Sequence, residues 1–400
     1  MNWIKGLASA CAAAGAITVT GCTNPPAAPD DASAGLDDAS IGAQATTLRP
    51  TESATWNGVA RTLSQQYAPA QHVGLRGLAY LSLAQYNAVI AGERDPARPS
   101  VRGAVAGASI AVLSWIYPAE ATLLESLIIL PGPRDVPSYH AGLAIGRAIG
   151  AQVIASATTD NFNLVWTGTV PTGPGFWFSL AAPPAPPIAP RLGEMRPFFL
   201  TSGSQFRPPP PPTFGSTHFL AALREVRDFS DTRTPAQDQL AKFWALPGGF
   251  RLIPAYPNLL ATDLIAKHRK SERAAAHTLA LINQAAMDGF IACHDAKYTY
   301  WLLRPSMADP LITLSVGLPN HPSYPSNHAC VTSAQMATLG KVFPSEARQL
   351  SQLADDAAFS RVVGGIHYRF DGEIGLEIGR AVAAWALAHD VREGEPYPIK

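Results

Sequence analysis

The sequence lacks an excess of either charge, because its 30 Lys and Arg residues balance its 30 Asp and Glu residues. A neutral chain offers no general electrostatic attraction to nucleic acid or to an anionic membrane surface, so neither partner is expected. After the N-terminus, no run of residues is long and apolar enough to cross a bilayer. Charged residues contribute only 15% and hydrophobic residues 47%, which excludes general disorder and allows a large buried core.

The N-terminus is the exception to this pattern. Residues 1–22, MNWIKGLASACAAAGAITVTGC, combine an early positive charge at Lys5 with small apolar residues and the ending Val-Thr-Gly-Cys. This combination is typical of a bacterial lipoprotein signal peptide whose cleavage leaves Cys22 as a lipidated N-terminus. Residues 23–50 are small and polar, contain prolines, and predict a flexible linker. We therefore expect an exported lipoprotein that faces the periplasm or the cell exterior and touches the membrane only through its lipid anchor.

Cysteine is also scarce, with four residues in the chain. Cys11 lies in the predicted signal peptide and Cys22 at the lipid site, so Cys293 and Cys330 remain for the folded body. In an exported protein these two could form a disulfide. We favour two buried, unpaired cysteines that act as small apolar side chains, because sequence spacing does not reveal the geometry that a disulfide requires.

From Thr51 onward, alternating strand patterns are scarce and helical periodicity dominates. Apolar residues recur at steps of three and four in a series of segments. The predicted helical segments are QHVGLRGLAYLSLAQYNAVIAGER, VRGAVAGASIAVLSWIY, SYHAGLAIGRAIGAQVIASATTD, STHFLAALREVRDF, TPAQDQLAKFWAL, a run from about Asn258 to Tyr300, EARQLSQLADDAAFSRVV and GEIGLEIGRAVAAWALAHD. No internal repeat is visible, so we predict that residues 51–400 form a single all-α domain.

Residues 160–215 interrupt the helical pattern with Trp, Phe and Pro. They include RPFFLTSGSQFRPPPPPTF, in which residues 208–212 are consecutive prolines. Such a run cannot be helical and adopts an extended, polyproline-like conformation. We predict a long, rigid Pro-rich strap that lies over the helical bundle and is held by Phe198, Phe199 and Phe206. A ligand for an aromatic groove on another protein is the alternative interpretation.

Three clusters in the last quarter of the chain contain residues suited to chemistry. In the first, KYTYWLLRP, Lys297 and Arg304 are seven residues apart and would share one face of a helix that Pro305 ends. Aromatic and aliphatic neighbours indicate that this helix is largely buried. Because a buried cation requires an anionic partner, the two side chains are candidates for binding a phosphate-sized anion.

The second cluster is the start of a helix in PSNHACVTSAQMATLGKVF. Ser326 is the predicted N-cap, since Pro325 keeps the preceding chain extended. The free N–H groups of a helix start attract anions. His328 stands where it could give a proton to a bound anion or take one from it.

The third cluster is SRVVGGIHYRFDGEIG. Arg361 and His367 are six residues apart, which would place them about 120° apart on an unbroken helix. The pair Gly364-Gly365 breaks the helix between them, so the chain can turn and bring both side chains to one point. If a new helical turn starts there, Asp371 can orient the imidazole of His367 and raise its basicity.

Together the clusters supply cations, histidines, a serine hydroxyl and a helix start without a run of metal-type carboxylates, which suits a tetrahedral oxyanion. Their pattern is Lys-x6-Arg-Pro, then Pro-Ser-x-His, then Ser-Arg-x5-His-x3-Asp. It resembles the three-part signature of the type-2 phosphatidic acid phosphatase and vanadium-dependent haloperoxidase superfamily. FRPPPPP and ACHDAKY extend the resemblance toward the soluble bacterial haloperoxidase-like branch. The resemblance covers the chain from residue 51 onward and implies the helical-bundle fold of vanadium haloperoxidases and acid phosphatases.

The resemblance also implies which residues hold the oxyanion. The cations Lys297, Arg304 and Arg361 would neutralise the equatorial oxygens of phosphate or vanadate. Ser326 and the backbone N–H of Asn327 would add hydrogen bonds. The family usually has glycine at position 327, so the Asn327 side chain would narrow the pocket or add a donor.

The same resemblance implies which residues react. His367 would be the axial group, as a nucleophile toward phosphorus or as the ligand to vanadium, and Asp371 would orient it. His328 would be the general acid–base, protonating a leaving oxygen or taking a proton from peroxide. His321 matches a position where similar bromide- and iodide-oxidising enzymes carry histidine, which makes it a candidate halide-site residue; a surface-loop histidine is the alternative.

Two activities share such a site. The first prediction is a vanadium-dependent haloperoxidase that oxidises halide with hydrogen peroxide and uses vanadate as its cofactor. The second is an acid phosphatase that acts on a phosphomonoester through a phosphohistidine and needs no cofactor. A surface-anchored binding protein ranks last, because His328 and His367 are both retained. Enzymes of this branch are often dimers, so a homodimer is a candidate assembly, and His268, His277 and His294 are assigned no role.

Overall fold

The computed structural model describes residues 50–245 and 255–400, and α-helices dominate both ranges. No β-strand occurs in them, although an isolated bridge joins Phe176 to Leu302. The α-helices of these ranges are α1 (Glu52–Tyr67), α2 (Gln71–Arg94), α3 (Val101–Ile116), α4 (Ala121–Ser126), α5 (Val136–Ala157), α6 (Thr217–Thr232), α7 (Pro235–Ala245), α8 (Ala255–Lys267), α9 (Glu272–Tyr300), α10 (Pro305–Ala308), α11 (Asn327–Val342), α12 (Ala347–Val363) and α13 (Arg369–Ala388). The prediction of an all-α fold is confirmed.

The predicted signal peptide, its Cys22 and nearly all of the predicted linker lie in residues 1–49, outside the described ranges. Lipid attachment and export therefore stay predictions. Among the helices just named, none has both the length and the apolar character that a membrane span requires.

Helix α9 carries the centre of the core. Its N-cap is Ser271, whose hydroxyl accepts a hydrogen bond from the N–H of Ala274. Along its length α9 contacts α2, α11 and α13. Its buried residues are mostly Ala, Leu and Ile, which lets the neighbouring helices pack tightly around it.

Helices α11 and α13 approach each other closely at two glycines of α13. A β-carbon built on Gly379 would lie 2.4 Å from the carbonyl oxygen of Cys330, and one built on Gly375 would lie 2.9 Å from the carbonyl oxygen of Ser326. Since no side chain fits at such distances, glycine is required at both positions. This contact holds the start of α11 against α13.

Two predicted helical segments end differently in the structure. The run predicted from about Asn258 to Tyr300 is two helices, α8 and α9, because the chain turns at Arg269, with a positive φ of 50°. The helix that was predicted to carry both Lys297 and Arg304 stops at Tyr300, so Arg304 is not on it. Trp301 adopts the left-handed conformation, and the N–H of Leu303 donates to the carbonyl of Gly175 in the strap. Pro305 also disfavours helical backbone in the residue before it, which explains the extended conformation of Arg304.

The strap, residues 160–215, contains no α-helix and only one short 3-10 turn, Leu192–Glu194. Its central part is held by the buried carboxylate of Asp288 in α9, which accepts hydrogen bonds from the backbone N–H groups of Phe198, Phe199 and Leu200. Phe206 packs edge-on against Trp385. The rings of Phe198 and Phe199 also pack edge-on against Tyr80 and Tyr397, so the predicted attachment through Phe198, Phe199 and Phe206 is confirmed.

Cys293 of α9 and Cys330 of α11 form a disulfide, with 6.3 Å between their α-carbons. The favoured interpretation of two unpaired cysteines is therefore wrong. Both residues are buried, as that interpretation required, but the packing of α9 against α11 brings their side chains together. The disulfide joins the helix that carries Lys297 to the helix whose first turn carries His328.

Candidate oxyanion site

The three clusters meet where the C-terminal end of α9, the start of α11 and the turn between α12 and α13 converge. The ammonium of Lys297 donates to the carbonyls of Pro322 at 2.9 Å and Ser323 at 2.8 Å, and also to that of Pro325. These carbonyls belong to the segment that leads into α11. Lys297 is completely buried, and burial together with the nearby Arg304 lowers its pKa well below the usual value. Three carbonyl acceptors nevertheless require the three donors of a protonated ammonium, so the structure places a cation directly behind the start of α11.

Arg304 links this segment to the turn before α13. Its Nε donates to the carbonyl of His321 at 3.0 Å, and its guanidinium donates to the carbonyl of Ile366 at 2.7 Å. The same guanidinium lies 3.0 Å from Nε2 of His367 and 3.0 Å from Nδ1 of His321. Burial lowers the pKa of Arg304 to about 10, so it stays charged at neutral pH.

Arg361 is the third buried cation. Its Nε donates to the hydroxyl of Ser360 at 2.8 Å, and its guanidinium donates to the carbonyl of Ala241 in α7 at 2.5 Å. Burial lowers the pKa of Arg361 to about 9, which leaves it protonated at neutral pH. No carboxylate forms an ion pair with it in the described ranges, so its charge is available to an anion.

His367 and Asp371 form a hydrogen-bonded pair, with 2.8 Å between Nδ1 and Oδ2. Asp371 lies in the first turn of α13, so the predicted helix start after the Gly364-Gly365 break is confirmed, and Gly365 itself has a positive φ of 84°. Because the carboxylate accepts the Nδ1 proton, Nε2 of His367 keeps its lone pair, which faces Arg304. Burial and the charge of Arg304 lower the pKa of His367 well below its usual value.

Ser323 was not identified from the sequence as a site residue, although it hydrogen-bonds the same carboxylate as His367. Its hydroxyl donates to Oδ2 of Asp371 at 2.5 Å, and the N–H of Tyr368 donates to the same oxygen at 3.2 Å. Burial raises the pKa of Asp371 to about 6, while the Ser323 hydroxyl opposes that rise. The signal in the sequence was only the position of Ser323 in HPSYPSNH, beside residues already singled out.

His328 is the second residue of α11. Its Nε2 is 2.8 Å from the carbonyl of Trp244 in α7. A carbonyl oxygen only accepts, so Nε2 carries the proton and Nδ1 keeps a lone pair. Burial lowers the pKa of His328 well below its usual value, and the charges of Arg361, Arg304 and Lys297 lower it further. All three predicted cations therefore act electrostatically on His328.

Ser326 and Asn327 each have a buried oxygen without a hydrogen-bond partner in the described structure, Oγ in Ser326 and Oδ1 in Asn327. Ser326 occupies the N-cap position of α11 as predicted, but its hydroxyl does not cap the helix. An uncompensated buried polar atom is costly. The two oxygens and the free N–H groups of the helix start thus have unused hydrogen-bonding capacity beside the cations.

Two more buried histidines, His321 and His294, belong to the site. His321 is 8% exposed and therefore belongs to the interior rather than to a surface loop. His294, to which the sequence gave no role, lies with its Nε2 3.1 Å from Nδ2 of Asn327 and its Nδ1 3.1 Å from the carbonyl of Ala189 in the strap. His294 and His321 rings are 5.9 Å apart. Burial lowers the pKa of both well below the usual value.

The donor set suits an oxyanion better than a bare metal ion. Within residues 50–245 and 255–400, no group of three or more His, Cys, Asp or Glu side chains is arranged to hold a metal ion. The convergent groups are instead three cations, an unpaired serine hydroxyl and the start of a helix. Such groups neutralise and hydrogen-bond the oxygens of phosphate or vanadate.

Residues 275–393 match the family model of the PAP2 superfamily. This segment is of that superfamily. It contains all three motifs, from Lys297 to Asp371, and confirms the superfamily that they predicted. No curated protein matches the chain by sequence.

Three solved structures share the fold. A bacterial vanadium-dependent iodoperoxidase superposes with a TM-score of 0.75 and 22% identity, over 86% of this chain and 97% of its own. An apo-type bacterial vanadium-dependent chloroperoxidase gives 0.64 and 14%, over 82% and 97%. A holo-type one gives 0.66 and 15%, over 80% and 91%. The PAP2 match over residues 275–393 supports an enzyme of this superfamily, and the three solved structures, all below 25% identical, show the fold.

Proposed function

We propose that this protein is a vanadium-dependent haloperoxidase. The observation that carries the proposal is the neutral His367, whose Nε2 lone pair is presented to a buried cation while Nδ1 is bound to Asp371. That lone pair accepts from Arg304 at 3.0 Å, and it would bond to the central atom of an oxyanion once the guanidinium donates to the oxyanion's oxygens instead. The shared fold with iodo- and chloroperoxidases supports this choice.

Vanadate fits the residues present. Arg304 and Arg361 would hold its oxygens, and Lys297, whose three N–H groups already donate to backbone carbonyls, would add its charge. The orphaned hydroxyl of Ser326 would gain a partner, and His367 would hold the vanadium. Bound vanadate would supply the Lewis acid that activates hydrogen peroxide for oxidation of a halide.

His328 is the residue placed to move a proton in this reaction. Its Nε2 proton is held by Trp244 and its Nδ1 lone pair is free to accept a proton. Burial, together with the surrounding cations, lowers the pKa of His328 and keeps it neutral at neutral pH, so it can act as a base toward peroxide. Burial and the charge of Arg304 also lower the pKa of His321. Its Nδ1 lies 3.0 Å from the Arg304 guanidinium and 3.1 Å from the carbonyl oxygen of Pro322, so Nε2 is the ring nitrogen that a halide would meet.

An acid phosphatase is the second candidate, favoured by the same lone pair. A neutral imidazole held by a carboxylate is a suitable nucleophile toward phosphorus. In that case Nε2 of His367 would attack and the cations would stabilise the charge on the equatorial oxygens. His328 would take up a proton on Nδ1 and then give it to the leaving oxygen. This reaction needs no cofactor.

The test is to measure bromide and iodide oxidation by hydrogen peroxide with and without orthovanadate, and aryl phosphate hydrolysis without it. Vanadate-dependent oxidation that is lost in His367→Ala supports the proposal. His140→Ala is the matched control, because His140 is exposed and far from the site in sequence; it should keep full activity. Phosphate release without halide oxidation would establish the phosphatase, and inactivity in both assays would favour a binding protein.

Export with a lipid on Cys22 is part of the proposal and follows from the N-terminal sequence alone. Membrane contact through that lipid, no nucleic-acid partner and assembly as a homodimer complete it. The oligomeric state would be measured by light scattering on the purified protein, where a monomer would refute the dimer.

A further inference from the structure

The side-chain amide of Asn327 has its two ends in different surroundings. Its Nδ2 lies 3.1 Å from Nε2 of His294. Its Oδ1 is buried and has no hydrogen-bond partner in the described ranges. The residue as a whole is 5% exposed, so bulk water does not compensate the oxygen.

His294 determines which end of the amide faces it. Nδ1 of His294 lies 3.1 Å from the carbonyl oxygen of Ala189. A carbonyl oxygen only accepts, so Nδ1 carries the proton and Nε2 of the neutral ring is an acceptor. Only the NH₂ group of Asn327 can donate to it, and a flipped amide would place two lone pairs against each other. Phe290 stacks on His294 with 4.8 Å between ring centroids and keeps the ring in place.

The free oxygen of Asn327 differs from the other groups assigned to the oxyanion. Lys297, Arg304 and Arg361 only donate hydrogen bonds. The hydroxyl of Ser326, also unpartnered and completely buried, can donate or accept. Oδ1 of Asn327 only accepts, so among oxyanions it can pair only with one that carries a hydrogen on an oxygen.

We propose that Oδ1 of Asn327 accepts a hydrogen bond from a protonated oxygen of the bound oxyanion, and that His294 positions it for this role. The site then selects hydrogen phosphate and hydrogen vanadate over sulfate. At neutral pH phosphate and vanadate keep a hydrogen on oxygen, whereas sulfate keeps none and would leave Oδ1 facing an oxygen lone pair. The inference rests on the proposed function only in requiring that the site binds an oxyanion, whichever reaction follows.

The experiment compares phosphate and sulfate binding by calorimetry, at one pH and ionic strength, with the purified full chain stripped of anions. Wild type should prefer phosphate. Asn327→Gly, which removes the acceptor, should reduce the phosphate-to-sulfate affinity ratio about tenfold or more, through a gain in sulfate binding. His294→Leu frees the amide to turn its NH₂ group toward the anion and should reduce the ratio in the same direction.

His294→Gln separates positioning from packing, because its carbonyl can still accept from Asn327 and should preserve most of the preference. His140→Ala should leave the ratio unchanged. Thermal melting would check that every variant folds. An unchanged ratio in Asn327→Gly, with phosphate still bound, overturns this inference and leaves the proposed function standing. If the wild-type chain binds neither anion, both are overturned.

Discussion

Ser323→Ala should destabilise the protein in a pH-dependent way. The Ser323 hydroxyl donates to Oδ2 of Asp371 at 2.5 Å, and both residues are completely buried. Oδ1 of Asp371 already lacks a hydrogen-bond partner in the described structure, so no spare donor lies beside the carboxylate to replace the Ser323 hydroxyl. A hydrogen bond to a charged group contributes about 1.5–3 kcal/mol.

The sign of the pH dependence follows from the pKa of Asp371, which burial raises to about 6. Because its pKa is raised in the folded state, the ionised carboxyl of Asp371 destabilises the protein. The free energy of unfolding therefore rises as pH falls through about 6 and the carboxyl becomes protonated. Ser323 stabilises the ionised form, so its removal raises the pKa further, by about 1–2 units. We therefore expect Ser323→Ala to lower the free energy of unfolding by about 2 kcal/mol at pH 8 and by clearly less at pH 5.

Urea denaturation at the two pH values measures this difference. Ser333→Ala is a matched control, because that buried serine donates to a neutral backbone carbonyl, of Leu376, at 2.9 Å; its loss should not depend on pH. If Ser323→Ala lost the same amount at pH 5 as at pH 8, the assignment of Ser323 to the ionised carboxylate would be refuted. In the active enzyme, the acidic limb of the pH–rate profile should move to higher pH in Ser323→Ala and not in Ser333→Ala.

Three further changes test other contacts. Asp288→Ala would leave the three strap N–H groups without their acceptor and should lower the free energy of unfolding by about 3 kcal/mol or more. A loss below ~1 kcal/mol in urea denaturation, which is the contribution of one ordinary hydrogen bond, would contradict the attachment. Gly379→Val should unfold the protein or lower its melting temperature sharply, because a β-carbon there meets the Cys330 carbonyl at 2.4 Å; normal melting would show that the helices can separate. Cys22→Ala should abolish labelling with radioactive palmitate and release the protein from membranes, and labelling that persists would rule out this lipid site.

Local sequence predicted the parts of the site that lie within one or two helical turns. His367 and Asp371 are four residues apart, and the pairing expected from that spacing is present at 2.8 Å. The double glycine ends the helix as expected, and Gly365 has a positive φ. The segments α2, α3 and α5 also match their predicted positions closely, because apolar periodicity and the flanking proline or serine are local signals.

The wrong predictions concern contacts between distant segments. Arg304 left the helix of Lys297 because Trp301 and Leu303 bond to the strap, more than a hundred residues earlier in the chain. The hydroxyl of Ser326 had the right position for a cap and yet caps nothing. The disulfide between Cys293 and Cys330 depends on how closely α9 and α11 pack, which spacing in the sequence does not report.

The sequence by itself determined the helical class, the strap and the residue types of the oxyanion site, because each depends on local periodicity, on proline or on the chemistry of single side chains. Only the tertiary structure decided which atoms meet. It placed Ser323 on Asp371, aimed His328 at Trp244 and brought His294 to Asn327. The physical reason is that hydrogen bonds act over about 3 Å, and the packing of distant helices decides which groups come within that distance.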